Sequence, residues 1–190
     1  AKQKLIIAES GKQAAILSST KLTNFNPSEM YVHQDKLLVF GYSQQYETNI
    51  GEKTTLIAPY PRYSRSMAVK VFDIQNRGQP KQIKTVEFEG SYLTSRKIGE
   101  YVYFVVNSYP HYKPTPLCND LVPLYRVDNQ EVKPIAKCTE IGYVKPIQAS
   151  NFITVASISM KDQGIRKETI VGSGQNVYAS LSNLYIAQTT

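Results

Sequence analysis

One hairpin is written three times along this chain, and that repetition restricts the fold more than any single motif does. Its first strand reads Ser28-Glu29-Met30-Tyr31-Val32, then Ser91-Tyr92-Leu93-Thr94-Ser95, then Asn176-Val177-Tyr178-Ala179-Ser180. A turn cluster follows each copy: His33-Gln34-Asp35, Ile98-Gly99-Glu100 and Leu181-Ser182. The second strand is then a short apolar run, Lys36 to Phe40, Tyr101 to Val106 and Asn183 to Ala187. Aromatic and β-branched residues bounded by turn formers are the pattern of strands, and helical periodicity is nearly absent.

A second unit alternates with the first. Val69 to Ile74 passes through Asn76, Gly78 and Pro80 into Ile83 to Phe88, and Thr154 to Met160 passes through Asp162 and Gly164 into Lys167 to Val171. A more degenerate copy opens the chain: Leu5 to Ala8, Gly11, then Ala15 to Leu22. The intervening Asn, Gly, Pro and Asp residues suit tight turns. Four short antiparallel strands in a fixed cycle are the mark of propeller blades. A β-sandwich supplies as many strands but gives no reason for the hairpins to resemble one another. The expected fold is therefore all-β, a partial β-propeller of four-stranded antiparallel blades amounting to about three blades. Residues 1–24 form a half blade, 28–90 a blade interrupted at 42–66, 91–174 a blade interrupted at 108–151, and 176–190 a second half blade. Because propellers close with at least about four blades, three readings stay open. The remaining blades lie elsewhere in a longer chain, two copies self-associate to complete the ring, or the segment folds as an open arc.

Several of these stretches resemble a known family. They are Val69 to Ile74 followed by Pro80 and Gly90, the run Gly90-Ser91-Tyr92-Leu93-Thr94-Ser95-Arg96, and Tyr101 to Asn107 with its Tyr109-Pro110 tail. Phe152 to Ile158, Gly172-Ser173-Gly174 and Asn176 to Ser180 resemble it too. The family comprises secreted prokaryotic proteins with a C-terminal β-propeller domain distantly related to WD repeats. The resemblance implies a propeller fold and export from the cytoplasm, with no established activity and no catalytic residues to carry over. This chain is shorter than the full family domain, which again leads to the expectation of part of a ring.

Two insertions break the repeat, from about Tyr42 to Ser66 and from about Ser108 to Asn151, each between the second and third strands of a unit. Long loops in compact domains usually bind something or are flexible. That connection should emerge on the face of the disc that also carries the links between blades, so both insertions are expected to crowd one face. The first holds Tyr60, Arg62, Tyr63 and Arg65, and the second holds Tyr109, His111 and Tyr112. Tyr with Arg offers rigid amphipathic area and bidentate donors, which suit carbohydrate, peptide or anionic-polymer ligands. These seven residues are the candidate ligand-binding set. The competing reading is that the tyrosines pack the loops onto the blades, stiffened by Pro59, Pro61, Pro110, Pro114 and Pro116.

Cys118 and Cys138 are the two cysteines. Bonded, they close a loop of about 20 residues and contribute roughly 3 kcal/mol, and they point to an oxidising compartment; two buried free thiols are the alternative. Paired close spacing of a structural zinc site is lacking, so no metal and no cofactor are expected. The balance of 22 basic to 15 acidic residues gives net +7, which favours an anionic partner. The cations are scattered, however. Lys81, Lys84, Arg166 and Lys167 fall in strand segments, where they serve to block edge pairing, so nucleic acid is not the expected partner. No stretch approaches the roughly 18 apolar residues of a membrane-spanning helix. Ala1 to Lys4 lack a signal-peptide pattern, so any targeting signal is expected outside this sequence.

The search for catalytic motifs is negative. His33 and His111 have no nucleophile-elbow partner, Gly172-Ser173-Gly174 reads as a link between units, and Asp73 is expected to accept hydrogen bonds from its turn. The leading expectation is an exported, non-enzymatic binding or scaffold module. It would use the Tyr/Arg-rich loop face to contact an extracytoplasmic protein or a cell-envelope polysaccharide. The alternative is a hydrolase-like propeller enzyme whose central-channel site is completed by blades missing from this chain.

Overall fold

The computed structural model describes residues 3–11, 14–43, 66–110, 117–147, 149–174, 176–180 and 183–187. Its strands are β1 (Lys4–Glu9), β2 (Ala15–Lys21), β3 (Phe25–His33), β4 (Lys36–Ser43), β5 (Ser66–Asp73), β6 (Lys81–Glu89), β7 (Ser91–Ile98) and β8 (Tyr101–Ser108). They continue with β9 (Leu124–Val127), β10 (Lys133–Pro134), β11 (Gly142–Tyr143), β12 (Phe152–Ser159), β13 (Ile165–Val171), β14 (Asn176–Ala179) and β15 (Leu184–Ala187). A single helical turn, α1 (Cys118–Leu121), and a 3-10 turn at Cys138–Glu140 interrupt the second insertion.

Four sheets result. β1 pairs with β2, and β14 with β15; between them lie the sheets β10-β9-β6-β5-β4-β3 and β11-β13-β12-β8-β7. The two central sheets are each built on an antiparallel four-strand meander, β3 to β6 and β7-β8-β12-β13. The hairpin repeat is visible in their turns. Gln34 and Gly99 occupy the same place and both have positive φ, +53° and +60°, so the repeated cluster encodes one turn geometry.

Alternation along the strands sets the layers, because successive side chains point to opposite sheet faces. On β4, Leu38 and Phe40 face the second meander while Leu37 and Val39 face β1–β2. The first face joins Met67, Val69, Val71, Val86 and Phe88 to Val102, Phe104, Val106, Ala156, Ile158 and Met160 in one core. Phe104 sits edge-on to Phe40 at 5.4 Å and to Phe88 at 5.2 Å. The opposite face packs Leu37, Val39, Ala68 and Phe72 against Leu5 and Leu22. Each fully buried side chain of this kind contributes about 1.5–3 kcal/mol. Face-to-face stacking of small antiparallel meanders is the packing of propeller blades.

The second insertion departs from its expected place. Instead of gathering on a disc face, its described part runs along the outermost strands. β9 adds antiparallel to β6 through Val86–Val127, Glu87–Arg126 and Phe88–Tyr125, and β11 adds in parallel to β13 at Gly142–Ile170 and Tyr143–Val171. An outer strand presents unpaired N–H and C=O groups, and the insertion satisfies part of that row on two adjacent sheets. Lys81, Lys84, Arg166 and Lys167 lie on β6 and β13 beyond the stretches so covered, where charge discourages further pairing.

Candidate functional site

Two constellations outside the apolar core bear on function. The first joins β3 and β7, each an end strand of its sheet. Alternation on β3 turns Glu29 and Tyr31 toward β7, which returns Tyr92 and Ser95. The Glu29 carboxylate accepts from the hydroxyls of Tyr31 at 2.6 Å and Ser95 at 3.0 Å and from that of Tyr92. Tyr31 Oη also meets Ser95 Oγ at 2.9 Å, and Tyr92 Oη meets it at 2.7 Å. Burial alone would raise the Glu29 pKa; the hydrogen bonds from Tyr31, Tyr92 and Ser95, with the Arg96 charge nearby, outweigh it and hold the carboxyl below its ordinary range. Burial, followed by the Glu29 contact, pushes both phenols up, Tyr92 far above the ordinary tyrosine value.

That chemistry suits a clamp. Near neutral pH the carboxylate stays ionised, the phenols stay protonated, and Ser95 is buried with its hydroxyl committed. Three hydroxyls on one carboxylate tie the two sheets along β3 and β7. Residue reasoning did not single out Glu29 or Tyr31; the available signal was the Gly90 to Arg96 run, whose Tyr92 and Ser95 are half of the cluster.

The second constellation is the insertion itself. Cys118 and Cys138 are disulfide-bonded, with Cα atoms 6.0 Å apart. Inside the stapled segment, Arg126 Nε donates to the buried Glu87 at 2.7 Å, the Leu124 N–H donates to Glu89 at 2.8 Å, and Asp128 accepts from the Thr85 N–H at 2.7 Å. Tyr125 stacks on Phe88 at 6.2 Å, with the Lys167 ammonium 4.5 Å from its ring centre. Val122 and Ile135 enter the main core. These contacts hold the insertion to the sheet rim, so for Tyr125 the packing reading applies. The outward surface is different: Leu117, Tyr143, Val144 and Ile147 are exposed, and Lys145 lies 5.9 Å from the Tyr143 ring centre.

Of the candidate ligand-binding residues, Tyr109 is 67% exposed just beyond β8. Tyr60, Arg62, Tyr63, Arg65, His111 and Tyr112 lie outside the described residues. Asp73 accepts from the Gln75 N–H at 2.9 Å and from Lys36 Nζ at 3.0 Å. The Gln75 bond first, then Lys36, lowers its pKa; it serves its turn. Among the described residues no group of His, Cys, Asp or Glu could hold a metal ion, and no helix is long and apolar enough to cross a membrane.

Compared with known proteins, the chain matches the family model described as the β-propeller domain over residues 1–190. The chain belongs to the β-propeller domain family. Neither a curated protein nor a solved structure matches it. Within this propeller domain, β3 and β7 are end strands of the two central sheets, and β6 and β13 are the strands to which β9 and β11 of the insertion add. The Glu29 clamp ties the two central sheets along β3 and β7, and the disulfide-stapled insertion bridges the same two sheets along β6 and β13. Such a fold is in general a binding or scaffold fold.

Proposed function

We propose that this propeller is an exported, non-enzymatic binding or scaffold module that contacts an extracytoplasmic protein or a cell-envelope polysaccharide through its insertions. One observation carries the reading: the disulfide-stapled insertion is anchored by its inner side and turns an apolar, lysine-flanked surface outward. Leu117, Tyr143, Val144 and Ile147 of this insertion are each exposed, and apolar side chains gathered on a surface mark interaction sites. Tyr109 and Tyr143 supply flat rings for sugar or peptide, and Lys145 supplies charge for an acidic partner. The disulfide suits an oxidising compartment. The Tyr60, Arg62, Tyr63, Arg65, His111 and Tyr112 set belongs to the same proposal.

A glycan array and a pull-down from cell-envelope extract test it with two variants. Tyr109→Ala with Tyr143→Ala alters the second insertion; Tyr60→Ala, Arg62→Ala and Tyr63→Ala alter the first. Loss of roughly tenfold or more in binding, at unchanged thermal stability, is expected from at least one variant. Full binding by both refutes the assignment.

A further inference from the structure

Between the two four-strand meanders, where β9 and β10 extend the first of them, two lysines converge on one tyrosine. Phe88 of β6, Tyr125 of β9 and Lys133 of β10 are paired in a row across three neighbouring strands, so their side chains share the face that looks toward the second meander. Phe88 stacks on the Tyr125 ring at 6.2 Å, and Lys133 Nζ stands 5.4 Å from the same ring centre. Lys167 arrives from the opposite sheet. It pairs with Ala156 on β12 and shares a face with Ile165, and both of these pack into the core between the sheets. Its Nζ lies 4.5 Å from the Tyr125 ring centre.

One ammonium over a tyrosine ring is a cation–π contact, and packing explains it. The second ammonium is what packing leaves unexplained. Both charges stand close to one ring centre, hence within about 10 Å of each other, the Debye length at about 0.1 M salt, so they repel. Neighbouring carboxylates do not offset this. Glu140 is near enough to feel the Lys167 charge, but its oxygens take the Lys137 N–H at 3.0 Å and the Lys137 ammonium at 3.4 Å. Glu87 takes Arg126, and Asp128 takes the Thr85 N–H. Among the described residues neither Lys133 nor Lys167 has a carboxylate in ion-pair contact. Lys133 is exposed and Lys167 half-buried, so a solute reaches the pair. A second tyrosine–lysine unit lies on the same face. Tyr143 of β11 pairs with Val171, four residues beyond Lys167 on β13, which puts it about 13 Å further along. Tyr143 is exposed, and Lys145 Nζ lies 5.9 Å from its ring centre.

We propose that this row binds a linear anionic polysaccharide, with one carboxylate or phosphate group seated between Lys133 and Lys167 beside Tyr125 and a later group on the same chain meeting Lys145 beside Tyr143. The anion supplies the counter-charge that the two converging lysines lack, and the exposed Tyr143 ring offers a flat face to a sugar. The stapled insertion holds Tyr125 and Lys133 in place before the ligand arrives, so little further order is lost on binding. Charges spaced this widely match a sparsely charged sugar chain and not a nucleic-acid strand, which carries one charge per roughly 3.4 Å. The inference rests on the binding-module reading above and gives its polysaccharide a charge and a seat.

Titration calorimetry with a polyuronate, a poly(glycerol phosphate) and neutral dextran tests it. Binding of at least one polyanion, weakened by added salt, and none of dextran is expected; the polyanion that binds identifies the oxyanion. Lys133→Gln with Lys167→Gln should weaken binding roughly tenfold or more, while Lys133→Arg with Lys167→Arg should retain it. Lys21→Gln with Lys161→Gln removes the same charge from exposed positions elsewhere and should change affinity by less than about twofold. Circular dichroism checks that each variant keeps its strand content. Equal losses in the two Gln pairs trace binding to net charge and overturn the site, as does equal affinity for a thymidine oligomer. Capture of a neutral glycan or a protein with no polyanion binding overturns this inference and leaves the binding-module reading standing; capture of nothing removes both.

Discussion

Replacing Glu29 by Gln keeps the side chain's shape and removes its charge, which isolates the clamp between β3 and β7. Three hydroxyls, from Tyr31, Tyr92 and Ser95, donate to the wild-type carboxylate. An amide has one acceptor oxygen with two lone pairs, and its NH2 end only donates. At least one hydroxyl therefore loses the carboxylate and turns to a neutral oxygen such as that of Ser95, and the others lose charge assistance. Hydrogen bonds to a charged group contribute about 1.5–3 kcal/mol each. Glu29 is only partly buried, so water recovers much of the loss, and the net effect is set at about 2–3 kcal/mol. For a chain of this size that is a fall in Tm of about 4–12 °C. Urea unfolding should show the midpoint shift at constant slope.

The pH dependence has a definite sign. The Glu29 pKa is lowered in the folded protein from an ordinary value of 4.5, so its contribution is present above that value and is lost as pH falls through the folded pKa. Tyr31 and Tyr92 are raised above 10.0, so theirs is complete below that value and is lost as pH rises through the folded pKa values. Glu29→Gln should flatten the acid limb of the wild-type profile. Tyr92→Phe should cost less than Glu29→Gln, and the double variant should show coupling of about 1 kcal/mol. A Glu29→Gln protein within about 0.5 kcal/mol of wild type with an unchanged acid limb would refute the clamp.

Cys118→Ser with Cys138→Ser opens a loop spanning 20 positions; the loop-entropy argument gives a loss of about 3 kcal/mol. Because the bond lies within the insertion, limited proteolysis should cut between residues 118 and 138 before the blades unfold; simultaneous loss would contradict local anchoring. Two glycines separate strain from collision. At Gly99, φ is +60° with nothing within 4 Å of an added Cβ, so Gly99→Ala should cost only about 1–2 kcal/mol. At Gly90, φ is +125° and the added Cβ would lie 2.4 Å from the Asn107 carbonyl and 2.5 Å from Ser108 Oγ. Gly90→Ala should therefore abolish soluble expression or lower Tm far more, and equal effects in the two variants would be evidence against that packing.

Strand identity and the blade type were legible in the sequence because period-2 alternation and turn residues act within a few positions of one another. Leu37 to Phe40 alternate between two cores, and Gln34 and Gly99 turn alike; both facts are local. Asp73 could be assigned to its turn for the same reason. The rim position of the second insertion was not legible, since it depends on which outer strand presents unpaired backbone within reach of β9 and β11. Nor was the clamp, whose Glu29 and Ser95 are 66 positions apart and meet only when two sheets stack. Short-range pattern determines which residues can form strands and which side each one shows. Which of those sides face each other is settled by burial between sheets, where the partner of a side chain is chosen by packing and not by its neighbours along the chain.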